Sequence, residues 1–185
     1  MQKKNKKIIS NISDLDLKEE VVNCVFEKCD FSNFDLSRIS LVDCEIVGSN
    51  FSMVNINSCR LQNVRFKNSK IVGIDFSNLD NFLLDFSFFE CVIKTCSFSR
   101  IKLKKISFLG SEILDTYFTA FDLRQANFQK TNLDNTRFID CDLRGADFRE
   151  ARNYEIDPQN NNIRKAKFMV PEVLSLLNNF EIELL

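Results

Sequence analysis

The chain has 185 residues, with 25 lysines and arginines against 26 aspartates and glutamates, no histidine and 19 phenylalanines. The lack of histidine excludes Ser-His and Cys-His catalytic pairs, and a net charge of −1 lacks the basic excess of a dedicated nucleic-acid binder. The length suits one domain, and no apolar run reaches the ~20 residues of a membrane-spanning helix.

At the N-terminus, "MQKKNKK" reads as a solvated basic tail. The next segment, "IIS", is too short for a signal-peptide core, so a cytoplasmic protein is expected. Residues 11–23, "NISDLDLKEEVVN", show no regular beat. They are expected to form an irregular first coil or short helix over an exposed strand edge, making 1–23 a tail and edge cap.

From Cys24 onward large apolar residues recur every fifth position. "RLQNVRFKNSKIVGIDF" shows the beat at Leu61, Phe66, Ile71 and Phe76. On an α-helix five residues advance about 500°, so these side chains would form no stripe. On a flat strand an odd spacing sends alternate members to opposite faces. Short extended pieces joined by regular corners satisfy both limits. Four corners close a square of about twenty residues, a period at which solenoids occur. Each coil is too small to bury its own apolar face and depends on its neighbours.

With the apolar centre written i, one series runs Phe26, Phe31, Leu36, Leu41, Ile46, Phe51, Ile56, Leu61, Phe66, Ile71 and Phe76. A second runs Ile93, Phe98, Leu103, Phe108, Ile113, Phe118, Leu123, Phe128, Leu133, Phe138, Leu143 and Phe148. The two are offset by two residues. The slip falls within 79–90, "LDNFLLDFSFFE", at Leu79-Asp80 or alternatively at Phe89-Glu90. All seven cysteines stand at i−2 and all four glycines at i+2. The i−2 site therefore faces a crowded interior. The i+2 site is a corner suited to Gly and to Asn33, Asp43, Asn63, Asn68, Asn78, Asp115, Asn135 and Asp140. The predicted core is built on Phe26, Phe31, Phe51, Phe66, Phe76, Phe98, Phe108, Phe118, Phe128, Phe138 and Phe148.

Past Arg152 the beat breaks at Asn153, loops through Asp157-Pro158-Gln159-Asn160, and resumes at Ile163 and Phe168. In 169–185, Pro171 suits a first helical position. Val173, Leu174, Leu177 and Phe180 form an apolar side, succeeded by an extended tail containing Ile182. These residues are the candidate cap or dimer element.

The units "ANFQK", "TNLDN", "CDLRG" and "ADFRE" at 126–150 resemble the A-(D/N)-L-x-x consensus of the pentapeptide-repeat family. The resemblance covers residues 24–168. It implies an all-β, right-handed quadrilateral parallel β-helix, here with a short C-terminal helical cap. The tail "NYEIDPQNNNIRKAKF", with the "PEVLSLL" and "FEIEL" segments beyond it, is similar to the endings of microcin-immunity and Qnr-type members. Such members protect type II topoisomerases, and a C-terminal cap mediates their homodimers.

No phosphate-binding loop is present, and the C-x4-C pairs Cys24/Cys29 and Cys91/Cys96 arise from the five-residue register rather than from zinc spacing. No catalytic residue, cofactor or metal is expected. The expected function is a non-enzymatic protein-interaction module or scaffold. The alternative is a DNA-mimicking protector of DNA gyrase or topoisomerase IV. The partner is a protein, with homodimerisation through the C-terminus and with neither direct nucleic-acid nor membrane contact. Candidate partner faces are the acidic one carrying Glu112, Asp115 and Asp134 and the basic one carrying Lys102, Lys104 and Lys105.

Overall fold

The computed structural model describes residues 7–12, 20–180 and 182–183. The chain winds as a right-handed β-helix of square section, with four parallel sheets forming its faces. The first face stacks Lys7–Ile9, Cys24–Glu27, Glu45–Val47, Val64–Lys67 and Phe86–Phe89. The second stacks Asn50–Ser52, Lys70–Val72, Val92–Lys94 and Glu112–Leu114. The third stacks Ser97–Ser99, Tyr117–Thr119 and Arg137–Ile139, and the fourth Glu20–Val22, Ser40–Val42 and Arg60–Gln62. Parallel bridges continue the faces beyond these strands, as at Asp122↔Asp142↔Asn162 and Ser107↔Asn127↔Asp147↔Lys167. Partners lie twenty residues apart, as at Ile46↔Phe66 and Phe118↔Phe138, so one coil is four five-residue units.

The corners explain the fixed chemistry at i+2. Asn33, Asp43, Asn63, Asn68, Asp115, Asn135 and Asp140 adopt φ of 48–57°, and the four glycines 57–69°. This left-handed region is open to Gly and tolerable for Asn and Asp. Asn78, expected among them, instead ends a 3₁₀ turn over Phe76–Asn78. The Asp75 carboxylate accepts the Ser77 N–H at 3.0 Å and holds that corner in the alternative geometry.

Two more positions have structural work. At i−2, polar side chains that face the crowded interior are hydrogen-bonded. Ser49 Oγ accepts the Cys29 N–H at 3.0 Å and has Val47 O at 3.0 Å and Phe26 O at 3.3 Å as acceptors for its one proton, while Ser69 Oγ accepts the Ser49 N–H at 3.1 Å. At i−1, Asp or Asn accepts the backbone N–H two residues on. Examples are Asp30 to Ser32 (2.9 Å), Asp35 to Ser37 (2.9 Å) and Asn127 to Gln129 (2.9 Å). A corner N–H without a strand partner is thereby satisfied. The i−1 residue is thus an architectural device as well as a surface residue.

The core has two aromatic columns on opposite faces. Phe66, Phe88, Phe108, Phe128, Phe148 and Phe168 stack on the first face at 4.8–5.4 Å between centroids. Phe76, Phe98, Phe118 and Phe138 stack on the third at 4.4–5.0 Å. The columns meet edge-on, as at Phe128–Phe138 (5.7 Å, 83°). Ile71, Ile93, Ile113 and Leu133 fill the second side, and Leu103, Leu123 and Leu143 the fourth. Every phenylalanine assigned to the core from the five-residue beat is buried.

Four places depart from the expected winding. The coil begins before Cys24: Lys7–Ile9 pairs with Cys24–Phe26, and Glu20–Val22 with Ser40–Val42. Ile9 and Val21 are buried, so the stretch assigned to an irregular cap already carries strands; residues 1–6 and 13–19 lie outside the described residues. The register slip lies later than Leu79-Asp80 and earlier than Phe89-Glu90. Asp80 N still bonds Cys59 O in the old frame, whereas Phe86↔Val64 is already shifted by two. The excess therefore sits in 81–84, where Phe82 and Leu83 stand exposed. Leu79 stays buried in its original column, which is why the chain does not bulge there.

At the C-terminal end the winding continues through Asn153. Arg137↔Glu155 is two residues short of the regular offset, and Asp157–Asn160 restores it before Asp142↔Asn162. Tyr154 and Ile156 are buried, and the Tyr154 ring lies 5.7 Å from Phe148. The cap is a 3₁₀ helix, Glu172–Phe180. Three residues per turn put Val173 and Leu176 on the core side; Leu176 is buried and Val173 packs against the core. Leu174 and Phe180 are exposed, on the same edge as Leu177. The apolar side read as Val173, Leu174, Leu177 and Phe180 is therefore divided between inner and outer surfaces, and Leu176 is the anchor. Ser175 Oγ donates to Tyr154 O at 3.1 Å and ties the helix to the last coil.

Candidate interaction surface

Burial pushes the Cys59 thiol up to about 12 and those of Cys91, Cys96 and Cys141 to about 11, so they are poor nucleophiles. All seven cysteines are buried. Among the described residues, no group of three or more Cys, Asp or Glu is arranged to hold a metal. Among the described residues, buried polar side-chain atoms are satisfied except Tyr154 Oη, whose hydroxyl is raised to about 12 by burial and by Glu172. No described helix is long and apolar enough to cross a membrane.

Among the described residues the charged side chains lie in the outward columns, where stacked residues recur at roughly 4.8 Å. On the second face, Glu112 and Asp115 are interspersed with cations and amides. Lys94 Nζ lies 3.6 Å from Asp115, and Asn135 donates to Asp115 at 2.6 Å. Glu112 bridges to Asn132, which in turn bridges to Arg152. Glu112 and Asp115 thus lie in a mixed surface, with Asp134 on the next coil, where its carbonyl accepts the Asp115 N–H at 3.3 Å.

The C-terminal half of the fourth face is different. Lys104, Arg124, Arg144 and Arg164 occupy one column at i+1, with Lys105, Gln125, Gly145 and Lys165 beside them at i+2. Lys102, Lys104 and Lys105, picked out from the sequence, are its first coil. Arg124 and Arg144 are each clamped by the aspartate two residues earlier. The Asp122 contacts are 2.7 and 2.6 Å, and those of Asp142 are 2.8 and 2.6 Å. These guanidinium bonds hold both carboxyls below the ordinary carboxylate range. A third clamp, Asp147–Arg149 on the first face, holds Asp147 at about 2. The two end coils lack a clamp: the i−1 residues there are Lys102 and Asn162. The column was accessible to sequence reasoning once the twenty-residue coil was laid out, because Lys104, Arg124, Arg144 and Arg164 differ by one coil each. The clamps were not, because they depend on side-chain direction at the corner.

The proposed cap and dimer residues gather at the C-terminal end. Leu174, Phe180 and Ile182 are exposed together with Met169 and Val170; Val173 faces inward, and Pro171 immediately precedes the 3₁₀ helix.

A family model described as "Pentapeptide repeat region" matches residues 20–91 and 91–168. No curated protein matches the chain. Among solved structures, a trypsin-treated form of QnrB1, a plasmid-mediated fluoroquinolone resistance protein, is similar at 16% identity and TM-score 0.50. The alignment covers 97% of this chain and 97% of that one. HetL, involved in heterocyst differentiation regulation in the cyanobacterium Nostoc sp. strain PCC 7120, aligns at 13% identity and TM-score 0.43. It covers 89% of this chain and 87% of that one. Likeness to QnrB1 at this identity establishes the fold.

Proposed function

The chain belongs to the pentapeptide-repeat family, and from that premise we propose that it is a non-enzymatic protein-interaction module of the cytoplasm. The observation that carries this reading is the division of labour along each unit. The centre and i−2 positions fill the coil, the corners fix its winding, and the charged side chains are turned to the outward columns. The filled coil, with the buried Cys59 and Cys91 thiols raised to about 12 and about 11, supports the non-enzymatic part of this reading. Affinity capture from the host with the full chain, compared with a chain lacking 169–185, tests it. A reproducible protein partner is expected; turnover of any substrate, or no retained protein, overturns it.

Homodimerisation through the C-terminal end is part of this proposal. Leu174, Leu177, Phe180 and Ile182, with Met169 and Val170, give an apolar surface that a second copy would cover. Analytical ultracentrifugation should find a dimer that Leu174→Asp with Phe180→Asp converts to monomer.

A second reading, protection of DNA gyrase or topoisomerase IV, draws on the Qnr-like tail and on the end-to-end fold likeness to QnrB1. The near-neutral charge gives it little phosphate-like field. Gyrase supercoiling with ciprofloxacin, titrated with this protein, decides it: rescue or inhibition supports the reading, and no effect at any ratio removes it.

A further inference from the structure

The C-terminal half of the fourth face has an order that neither charge count nor family membership supplies. Four coils place Lys104, Arg124, Arg144 and Arg164 in one column, spanning about 14 Å at the inter-strand spacing. The inner two are neutralised by their own aspartates. The outer two are not. Lys104 is preceded by Lys102 where the inner coils have aspartate, and Arg164 by Asn162, whose side chain accepts the Arg164 backbone N–H at 3.3 Å. No ion pair is formed by Lys102, Lys104, Lys105, Arg164 or Lys165 among the described residues. Gly145, in the i+2 column, leaves a shallow trough between these ends.

We propose that this trough docks an extended acidic segment of a protein partner, with carboxylates held by Lys104 and Lys105 at one end and by Arg164 and Lys165 at the other. The proposal rests on the interaction-module reading and names its partner chemistry. An extended chain presents alternate side chains to one face about 6.8 Å apart, so three glutamates at alternate positions span about 14 Å, the length of the column. Arg164 presents an unoccupied planar fork suited to bidentate carboxylate binding. Nucleic acid fits less well. Asp122 and Asp142 form a carboxylate column directly beside the cations, and Asp140 lines the same edge. A peptide whose outer carboxylates face the two unpaired ends passes a clamped, neutral middle, whereas a polyanion charged along its whole length and width meets these carboxylates.

The test is fluorescence anisotropy with a labelled peptide of alternating glutamate and serine, its glutamine counterpart, and a labelled single-stranded oligonucleotide, using the full chain. Binding of the glutamate peptide, weakening with added salt, is expected, with none for the glutamine peptide. Lys104→Glu with Arg164→Glu should weaken it about tenfold or more. Lys28→Glu with Lys70→Glu, an equal charge change elsewhere, should leave it within about twofold. No binding at low salt, equal loss in the two double variants, or tighter binding of the oligonucleotide overturns the proposal. A captured host partner that the Lys104/Arg164 variant still retains would sink this docking site while leaving the module reading intact; capture of no partner would sink the module reading itself.

Discussion

At the residue scale, stability is set by how each position meets its equivalent one coil away. Phe128 is fully buried and stacks on Phe108 at 5.0 Å and on Phe148 at 4.8 Å. Phe128→Ala opens a gap in the middle of the aromatic column and should cost about 3–5 kcal/mol in urea unfolding. Thr95 shows the opposite case. A β-branched side chain at φ 51° sits in the left-handed region at a cost of roughly 1–2 kcal/mol. Thr95→Asn should raise the urea midpoint, and a lowered midpoint would mean that the corner is not strained. Asp147 makes stability depend on pH. The hydrogen-bonded Arg149 guanidinium is the largest cause of its low value of about 2. The folded value lies below the unfolded one of about 4. The clamp therefore stabilises the fold above about pH 4 and loses its contribution as the pH falls toward about 2. Asp147→Asn should reduce the loss of stability between pH 5 and pH 2 (both approximate), measured by urea titration at each pH.

At the element scale, the cap gives the sharpest contrast. A 3₁₀ helix over Glu172–Phe180 buries Leu176 and leaves Leu174 exposed. Leu176→Ala should cost about 2–3 kcal/mol, while Leu174→Ser should stay within about 0.5 kcal/mol in the monomer. The reverse order would mean that the cap is wound as an α-helix with a different inner side. The register slip works by a related logic. The chain keeps Leu79 and Phe86 buried and puts its two extra residues between them, at the cost of exposing Phe82 and Leu83. Arg60 shields part of that exposure, its guanidinium carbon lying 5.1 Å from the Phe82 ring centroid.

At the scale of the whole molecule, the solenoid has one continuous core from Ile9 to Leu176. Its cysteines report on the integrity of that core. Cys59, Cys91, Cys96 and Cys141 are buried with thiols raised to about 11–12, so they should resist a thiol reagent in the native protein. All seven thiols should become reactive in guanidinium. Rapid native labelling of those four would show that the coils open locally rather than together.

The sequence by itself determined the periodic features: the five-residue unit, the buried phenylalanines, the inward cysteines, the corners at i+2 and the square coil. Each is a repeated local demand, and every repeat restates it, so the pattern survives imperfect units. The tertiary structure alone decided where the beat could be broken. The early strand at Lys7–Ile9, the excess at 81–84, the buried Tyr154 and the inward turn of Leu176 each depend on what lies one coil away or on the end of the stack. The unclamped ends of the basic column arose the same way, because a charge is neutralised or left open according to which side chains the winding brings beside it.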